Sequence, residues 1–243
     1  MLTSLNTDDF AEFIADFQGS SDATTRFIAL PCYTEAKFIF ITPDNCLEEL
    51  RLKTLKDGKT FLVTTYGIRR GFWILDPAEI PESRYDYACT LDGMEKVAQQ
   101  VSLSDLLAMS PKIDLMITGT GAINTKGIRY GKGHGFFDLE WAMLFTLGLV
   151  DNNTTTVAMV HDCQVLSQEL HPAAFDTVCD LVVTPTRVIE VEGAQKPECG
   201  ILWNMLGKNM LEDIPPLREL NLLIKQGDIE QPLQPVSKGL EEP

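Results

Sequence analysis

Arg129, Lys132 and Asp138 fall within one short segment, RYGKGHGFFD, with glycines at 131, 133 and 135. Alternate glycines let the backbone take conformations closed to other residues and bring successive N–H groups against a ligand. A run of such N–H groups opening into a helix is an anion site. Arg129 and Lys132 add two cations to that segment in a chain of formal charge -15, which favours a phosphate-binding loop continuing into a helix. Asp138, at the helix start, suits a cap or a Mg²⁺ carboxylate beside a nucleotide phosphate. The same spacing also describes a tight surface turn closed by an Asp cap. It matches neither the dinucleotide fingerprint nor GxxxxGK[ST].

Other residues have chemistry at hand. His161-Asp162-Cys163 follows the apolar run TVAMV, at the strand edge where open α/β sheets bind ligands. His161 and Asp162 are candidates for substrate contact or proton transfer. Cys163 has no familiar Cys–His signature around it, so packing is its expected role. Arg69, Arg70 and Arg187 each follow a candidate strand and suit an anionic ligand or a solvated surface. Glu140 either faces the pocket or adds a favourable charge to a helix N-terminus. Histidines at 134, 161 and 171 make no metal set.

The elements that must position these residues are short. Apolar spacing predicts a helix over 7–18, strands over 27–30 and 37–42, and a helix from Pro43 to Gly58. Strands follow at 60–64 and 72–75, then an acidic, weakly structured connection over 76–101. A helix over 102–109 precedes a buried strand within 112–118. Beyond the glycine loop come a helix at about 138–148 and a strand at 156–160. A helix at 172–178 and strands at 180–184, 187–191 and 201–204 complete the pattern, with a last helix over 214–226. β-rich runs alternating with helices predict an α/β fold, a mainly parallel sheet with helices on both faces. The simplest organisation is a single α/β domain over 1–204 and a C-terminal helical extension over 205–243, ending in a mobile tail, QPLQPVSKGLEEP.

Composition narrows the function classes. The chain has 243 residues, 44% hydrophobic and 23% charged, enough for a full core. Its negative charge argues against nucleic-acid or membrane partners, which need positive potential. No Lys or Arg precedes Arg26 and no long apolar run is present, so a secretory signal is not expected. Six cysteines without a CxxC pair predict a reduced, cytoplasmic protein. The expected partner is a small-molecule substrate. Oligomeric state leaves no sequence signal.

Around the glycine loop the sequence resembles the 5-formyltetrahydrofolate cyclo-ligase (methenyltetrahydrofolate synthetase) family. That family's R-x-G-x-G-x-G-[YF]-Y-D motif is matched by Arg129, Gly131, Gly133, Gly135, Phe136, Phe137 and Asp138, with Phe137 in place of Tyr. Asp176, Asp180 and Thr184 fit its D-x-x-x-D-x-x-x-T ending. GKGxGxxDLExAML, VHDCQV and TPTRVI are similar to a divergent branch, the synthetase-domain-containing proteins. The resemblance implies a NagB/RpiA/CoA-transferase-like fold and the cofactors ATP and Mg²⁺. In that chemistry ATP phosphorylates the formyl oxygen of 5-formyltetrahydrofolate, and a folate nitrogen closes the ring to 5,10-methenyltetrahydrofolate. It implies that Arg129, Gly131, Lys132, Gly133, His134, Gly135, Phe136 and Phe137 hold the nucleotide, with Arg129, Lys132 and Asp138 catalytic. Asp138 would place Mg²⁺, and Asp44, His161 and Asp162 would contact substrate. Three departures accompany it. Residues 1–25 lack the basic residues of the founding enzymes' first helix, Pro43-Asp44-Asn45-Cys46 stands for their E-x-D-T element, and Phe175 replaces a His. The alternative is a paralogue without cyclo-ligase activity that binds a nucleotide or phosphorylated metabolite.

Overall fold

The runs FWIL and LMIT are buried at every position, and FIFI at all but its first. Only strands covered on both faces bury consecutive side chains in this way. The computed structural model describes residues 16–130 and 135–234. In chain order its first half holds α1 (Ser20–Ile28), α2 (Pro31–Glu35), β1 (Phe38–Ile41), α3 (Glu48–Lys56), β2 (Thr60–Thr64), β3 (Phe72–Leu75), α4 (Tyr85–Ala88), α5 (Leu91–Val97), β4 (Gln99–Val101), α6 (Leu103–Met109) and β5 (Leu115–Thr118). Its second half holds β6 (Ala122–Asn124), β7 (Arg129–Tyr130), α7 (Phe136–Thr146), β8 (Thr155–Met159), β9 (Val165–Leu166), β10 (Leu181–Val183), β11 (Val188–Glu190), α8 (Met210–Asp213) and α9 (Pro215–Gln226).

Eight strands form the main sheet in the order β11-β10-β8-β5-β1-β2-β3-β4. Strands β10, β8, β5, β1 and β2 run parallel. The antiparallel strands β11, β3 and β4 lie toward its edges. A side-chain period of two divides the core between the faces. Ile39, Ile41, Phe61 and Val63 pack with Leu47, Leu50 and Leu55 of the β1–β2 crossover. Phe40, Leu62 and Met116 pack with Trp141, Met143 and Leu144 of α7 on the other face. The expected α/β architecture, a mainly parallel sheet flanked by helices, is present. A smaller sheet, β7-β6-β9, sits beside it.

Several elements differ from expectation. The helix expected over 7–18 lies outside the described residues except for its last three, which are not helical. Residues 27–30 are not a strand: Phe27 and Ile28 end α1, which buries Ala23, Thr24 and Phe27 on one face. A run of β-favouring types within a helical spacing caused the misreading. The acidic connection over 76–101 is structured. Tyr85, Ala88, Cys89 and Met94 of its short helices join the core beside α3, and Thr90 caps α5 by accepting from Gly93 N. Residues 172–178 form no helix: Asp176 accepts from Ala173 N in a local turn, and Thr177 N donates out of the segment to Asp138. At 201–204 a single tight turn, Trp203–Met205, replaces the expected strand.

The helix expected over 214–226 forms as α9. It places Leu217, Leu220 and Leu223 in the cluster that holds Trp141, and Glu219 accepts from Leu103 N and Ser104 N at the start of α6. All six cysteines are free thiols. Among the described residues no helix is long and apolar enough to cross a membrane. Most of the expected C-terminal tail, 235–243, lies outside the described residues.

Candidate functional site

Strand β1 connects to β2 through α3 on one face of the sheet, and β5 connects to β8 through α7 on the other. Adjacent β1 and β5 therefore send their chains to opposite sides. Where strand order reverses in this way, the carboxyl ends of the two strands border a crevice suited to a ligand. Asp44 stands there. Its Oδ2 accepts from Thr42 Oγ1 at 2.6 Å and from Gly119 N, just past β5, at 3.0 Å. A Cβ at Gly119 would come within 3.1 Å of Asp44 Cγ and Cys46 Sγ, so the close approach of the two turns favours glycine. Buried Arg51 braces the same turn by donating to Thr42 O, Asp44 O and Cys89 O. Nothing local in the sequence marked Arg51 for this role.

The glycine segment reaches this edge from β7. Gly131, Lys132, Gly133 and His134 lie outside the described residues. Gly135 has φ 62 at the N-cap of α7, a left-handed conformation that glycine takes without strain. Arg129 is not turned to solvent. Its Nη2 pairs with Asp138 Oδ1 at 2.5 Å, its Nε donates to Thr177 O, and its guanidinium lies 4.6 Å from the Phe137 ring centroid. Burial alone would lower its proton affinity, but Asp138, Cys179 and Asp176 outweigh that and raise it. Asp138 Oδ1 also accepts from Thr177 N at 2.8 Å. Arg129 and Asp138 thus tie the first turn of α7 to the segment before β10.

Glu140 follows on α7. Its Oε1 accepts from Thr64 Oγ1, the last residue of β2, at 2.5 Å. Only 2% of Glu140 is exposed, and its Oε2 has no hydrogen-bond partner among the described residues. Burial pushes its pKa up to about 8, with Asp44 and Asp138 adding to the rise and Thr64 and Arg129 opposing it. The register pairs Phe40 with Leu62, which brings Thr42 and Thr64 to about the same level of neighbouring strands. Each hydroxyl serves one carboxyl.

After β8, His161 Nδ1 accepts from Cys163 N at 3.2 Å and lies 3.0 Å from Cys163 Sγ. Cys163 is exposed, so the packing role expected for it does not hold. Asp162 Oδ1 accepts from the hydroxyls of Thr186 and Thr184, which lower its pKa in that order. It ties the turn after β8 to the turn after β10. Gln164 Nε2 donates to Thr120 O and Gly121 O, joining the His161 turn to the turn after β5. Asp44, Glu140, His161 and Asp162 are thereby connected along one edge of the sheet. Arg70 is instead paired with Glu95.

A nucleotide's Mg²⁺ takes most of its ligands from phosphate and water, with one or two protein carboxylates. Among the described residues no group of three or more His, Cys, Asp or Glu has metal-holding spacing. Asp138 fits the lesser requirement. Its Oδ1 is engaged, whereas its Oδ2 lies 4.0 Å from where a Cβ of Gly135 would stand.

An open, mainly parallel α/β sheet whose strand order reverses between β1 and β5 defines a domain of the doubly wound type. The pattern of the 5-formyltetrahydrofolate cyclo-ligase family matches residues 5–185, and the chain belongs to that family. Methenyltetrahydrofolate synthase domain-containing protein of Danio rerio is 33% identical over 233 residues, covering 94% of this chain and 60% of that protein. Its Homo sapiens counterpart is 34% identical over 235 residues, covering 95% of this chain and 60% of the relative. The chain thus spans about 60% of the length of these relatives. The structure of Aquifex aeolicus 5,10-methenyltetrahydrofolate synthetase aligns with a TM-score of 0.47 at 18% identity, over 74% of this chain and 85% of that one. The Mycoplasma pneumoniae 5,10-methenyltetrahydrofolate synthetase gives 0.42 at 11% identity, over 75% and 90%.

Proposed function

We propose that the chain is an ATP- and Mg²⁺-dependent enzyme of the cyclo-ligase type, converting 5-formyltetrahydrofolate to 5,10-methenyltetrahydrofolate. Family membership supports the reaction class, and one observation supports siting it at this edge of the sheet. Asp44 bridges the parting ends of β1 and β5 at the edge where the glycine segment enters α7. ATP with Mg²⁺, when bound, supplies the phosphoryl group that turns the formyl oxygen into a leaving group. Such a transfer asks the protein for positioning and charge stabilisation. Backbone N–H groups of Gly131, Gly133 and Gly135 and the Lys132 ammonium would hold the phosphates, with His134, Phe136 and Phe137 completing the nucleotide contacts. Asp138 would orient the cation through Oδ2. Asp44, His161 and Asp162 would line the substrate side.

The test is direct. Purified protein with 5-formyltetrahydrofolate, ATP and Mg²⁺ should produce the absorbance of the methenyl product, and Lys132→Ala should lose it. No product from the intact chain would remove this reading.

A second reading keeps the nucleotide and drops ring closure. It is favoured by the engagement of Arg129 with Asp138, which leaves fewer cations directed at a triphosphate. Stabilisation against heat by ATP but not by the folate would support it, since a ligand that binds only the folded state raises the melting temperature.

A further inference from the structure

Glu140 is the fifth residue of α7, beyond the first turn where a helix end rewards a negative charge. It is also too buried to be a solvated surface group. The hydrogen bond from Thr64 explains only half of its carboxyl: a glutamine would accept that bond equally well, without the penalty of a buried acid. The remaining oxygen, Oε2, is buried and has no partner among the described residues. Buried polar atoms are nearly always satisfied, so an orphan at the carboxyl ends of parallel strands points to something that arrives from outside.

The surrounding charge restricts what that can be. Among the described residues, Asp44 and Asp138 both lie within electrostatic reach of Glu140, and Arg129, a cation opposing them, is held by Asp138. A carboxylate or phosphate placed against Oε2 would meet three acids. An N–H group, and most of all a cationic one, would meet an acceptor in a negative setting where burial strengthens the contact.

We infer that Glu140 Oε2 is a substrate contact on the floor of the crevice, accepting a hydrogen bond from an amino or amidinium N–H of the ligand. This deepens the proposed function, and rests on it only for where the ligand lies. Thr64 is the positioning residue: its hydroxyl holds Oε1 and leaves Oε2 without a bond from the pair.

Calorimetric titration of wild type and Glu140→Gln with three probes tests the contact. The probes are 5-formyltetrahydrofolate, which carries an amino group on its ring, benzamidine, and acetophenone, which resembles benzamidine in shape but has no N–H. The variant keeps an acceptor for Thr64 and can place an amide NH₂ against the ligand's own donor. Both N–H probes should weaken by about tenfold or more, the cost of leaving a buried donor unpaired, while the melting temperature does not fall. Acetophenone should discriminate neither protein. Unchanged affinity of the variant for the N–H probes overturns the inference, as does wild type that binds neither of them. Tighter binding of acetophenone to wild type would make Glu140 a donor and overturn it too. If wild type binds benzamidine through Glu140 but ignores the folate, the contact stands and the cyclo-ligase reading falls. If folate turns over unimpaired in the variant, the reverse holds. Should Glu140→Gln fail to fold, infrared difference spectra of wild type decide: benzamidine must perturb a carboxyl band, and a silent carboxyl region overturns the inference.

Discussion

Glu140 and Asp138 stand two positions apart on one helix, yet their environments separate them. Asp138 has Arg129 beside it; Glu140 has a hydroxyl and, among the described residues, no cation paired with it. Burial pushes the Glu140 pKa up to about 8, with Asp44 and Asp138 adding to it, whereas an unfolded chain titrates such a group near about 4.3. The folded state thus holds this proton more tightly. Its contribution to stability is complete below the unfolded pKa, declines as pH rises between the two values, and is gone above the folded one. The melting temperature of wild type should fall from about pH 5 to about pH 8 relative to Glu140→Gln, because only wild type has this proton to lose. Parallel curves for the two proteins would show that Glu140 does not titrate this way. For the ion pair the expectation is a direct loss. Removing Arg129 leaves Asp138 with its Thr177 N–H bond but no countercharge, and breaking a buried pair costs about 3 kcal/mol or more. Urea unfolding of Arg129→Ala should show that loss. Neither pairing was legible locally, since Thr64 lies 76 positions before Glu140 and Thr177 lies 39 beyond Asp138.

Among the elements, legibility followed apolar density. Strands β2 and β3 match their expected limits, 60–64 and 72–75, because TFLVT and FWIL are dense β-favouring runs bounded by turn residues. Helix α6 was readable through Ser102, whose hydroxyl accepts from Asp105 N while Asp105 accepts from Ser102 N. The 76–101 segment was misread because its charges mask a sparse apolar set, Ile80, Tyr85, Ala88, Cys89 and Met94, spread over very short helices. Tertiary contact rather than local propensity orders it. Gly93 exposes the tightness of that packing: a Cβ there would stand 1.8 Å from Tyr87 O, a backbone atom that cannot swing away. Gly93→Ala should therefore destabilise the protein by about 1–3 kcal/mol, the range for overpacking a core. An unchanged unfolding midpoint would mean that α4 and α5 shift freely relative to one another.

For the molecule as a whole, the doubly wound sheet was legible as alternating short strands and helices, but what completes its second face was not. From sequence, residues beyond 204 read as an extension. In the structure, Leu217, Leu220 and Leu223 of α9 lie in the same cluster as Trp141, Met143 and Leu144 of the helix that carries Asp138 and Glu140. Glu219 meanwhile satisfies two N–H groups at the start of α6. Ending the chain before Pro215 would expose that face and free those donors together. Burying one leucine is worth roughly 1.5–3 kcal/mol, so three of them approach the entire stability of a domain, about 5–15 kcal/mol. A chain ending at Ile214 should lose cooperative thermal unfolding by circular dichroism and bind a hydrophobic dye. Because α7 rests on this cluster, the same truncation should abolish ligand binding at the carboxyl ends of the strands. A truncated chain that melts cooperatively and still binds ATP would show that α7 is held by the sheet alone.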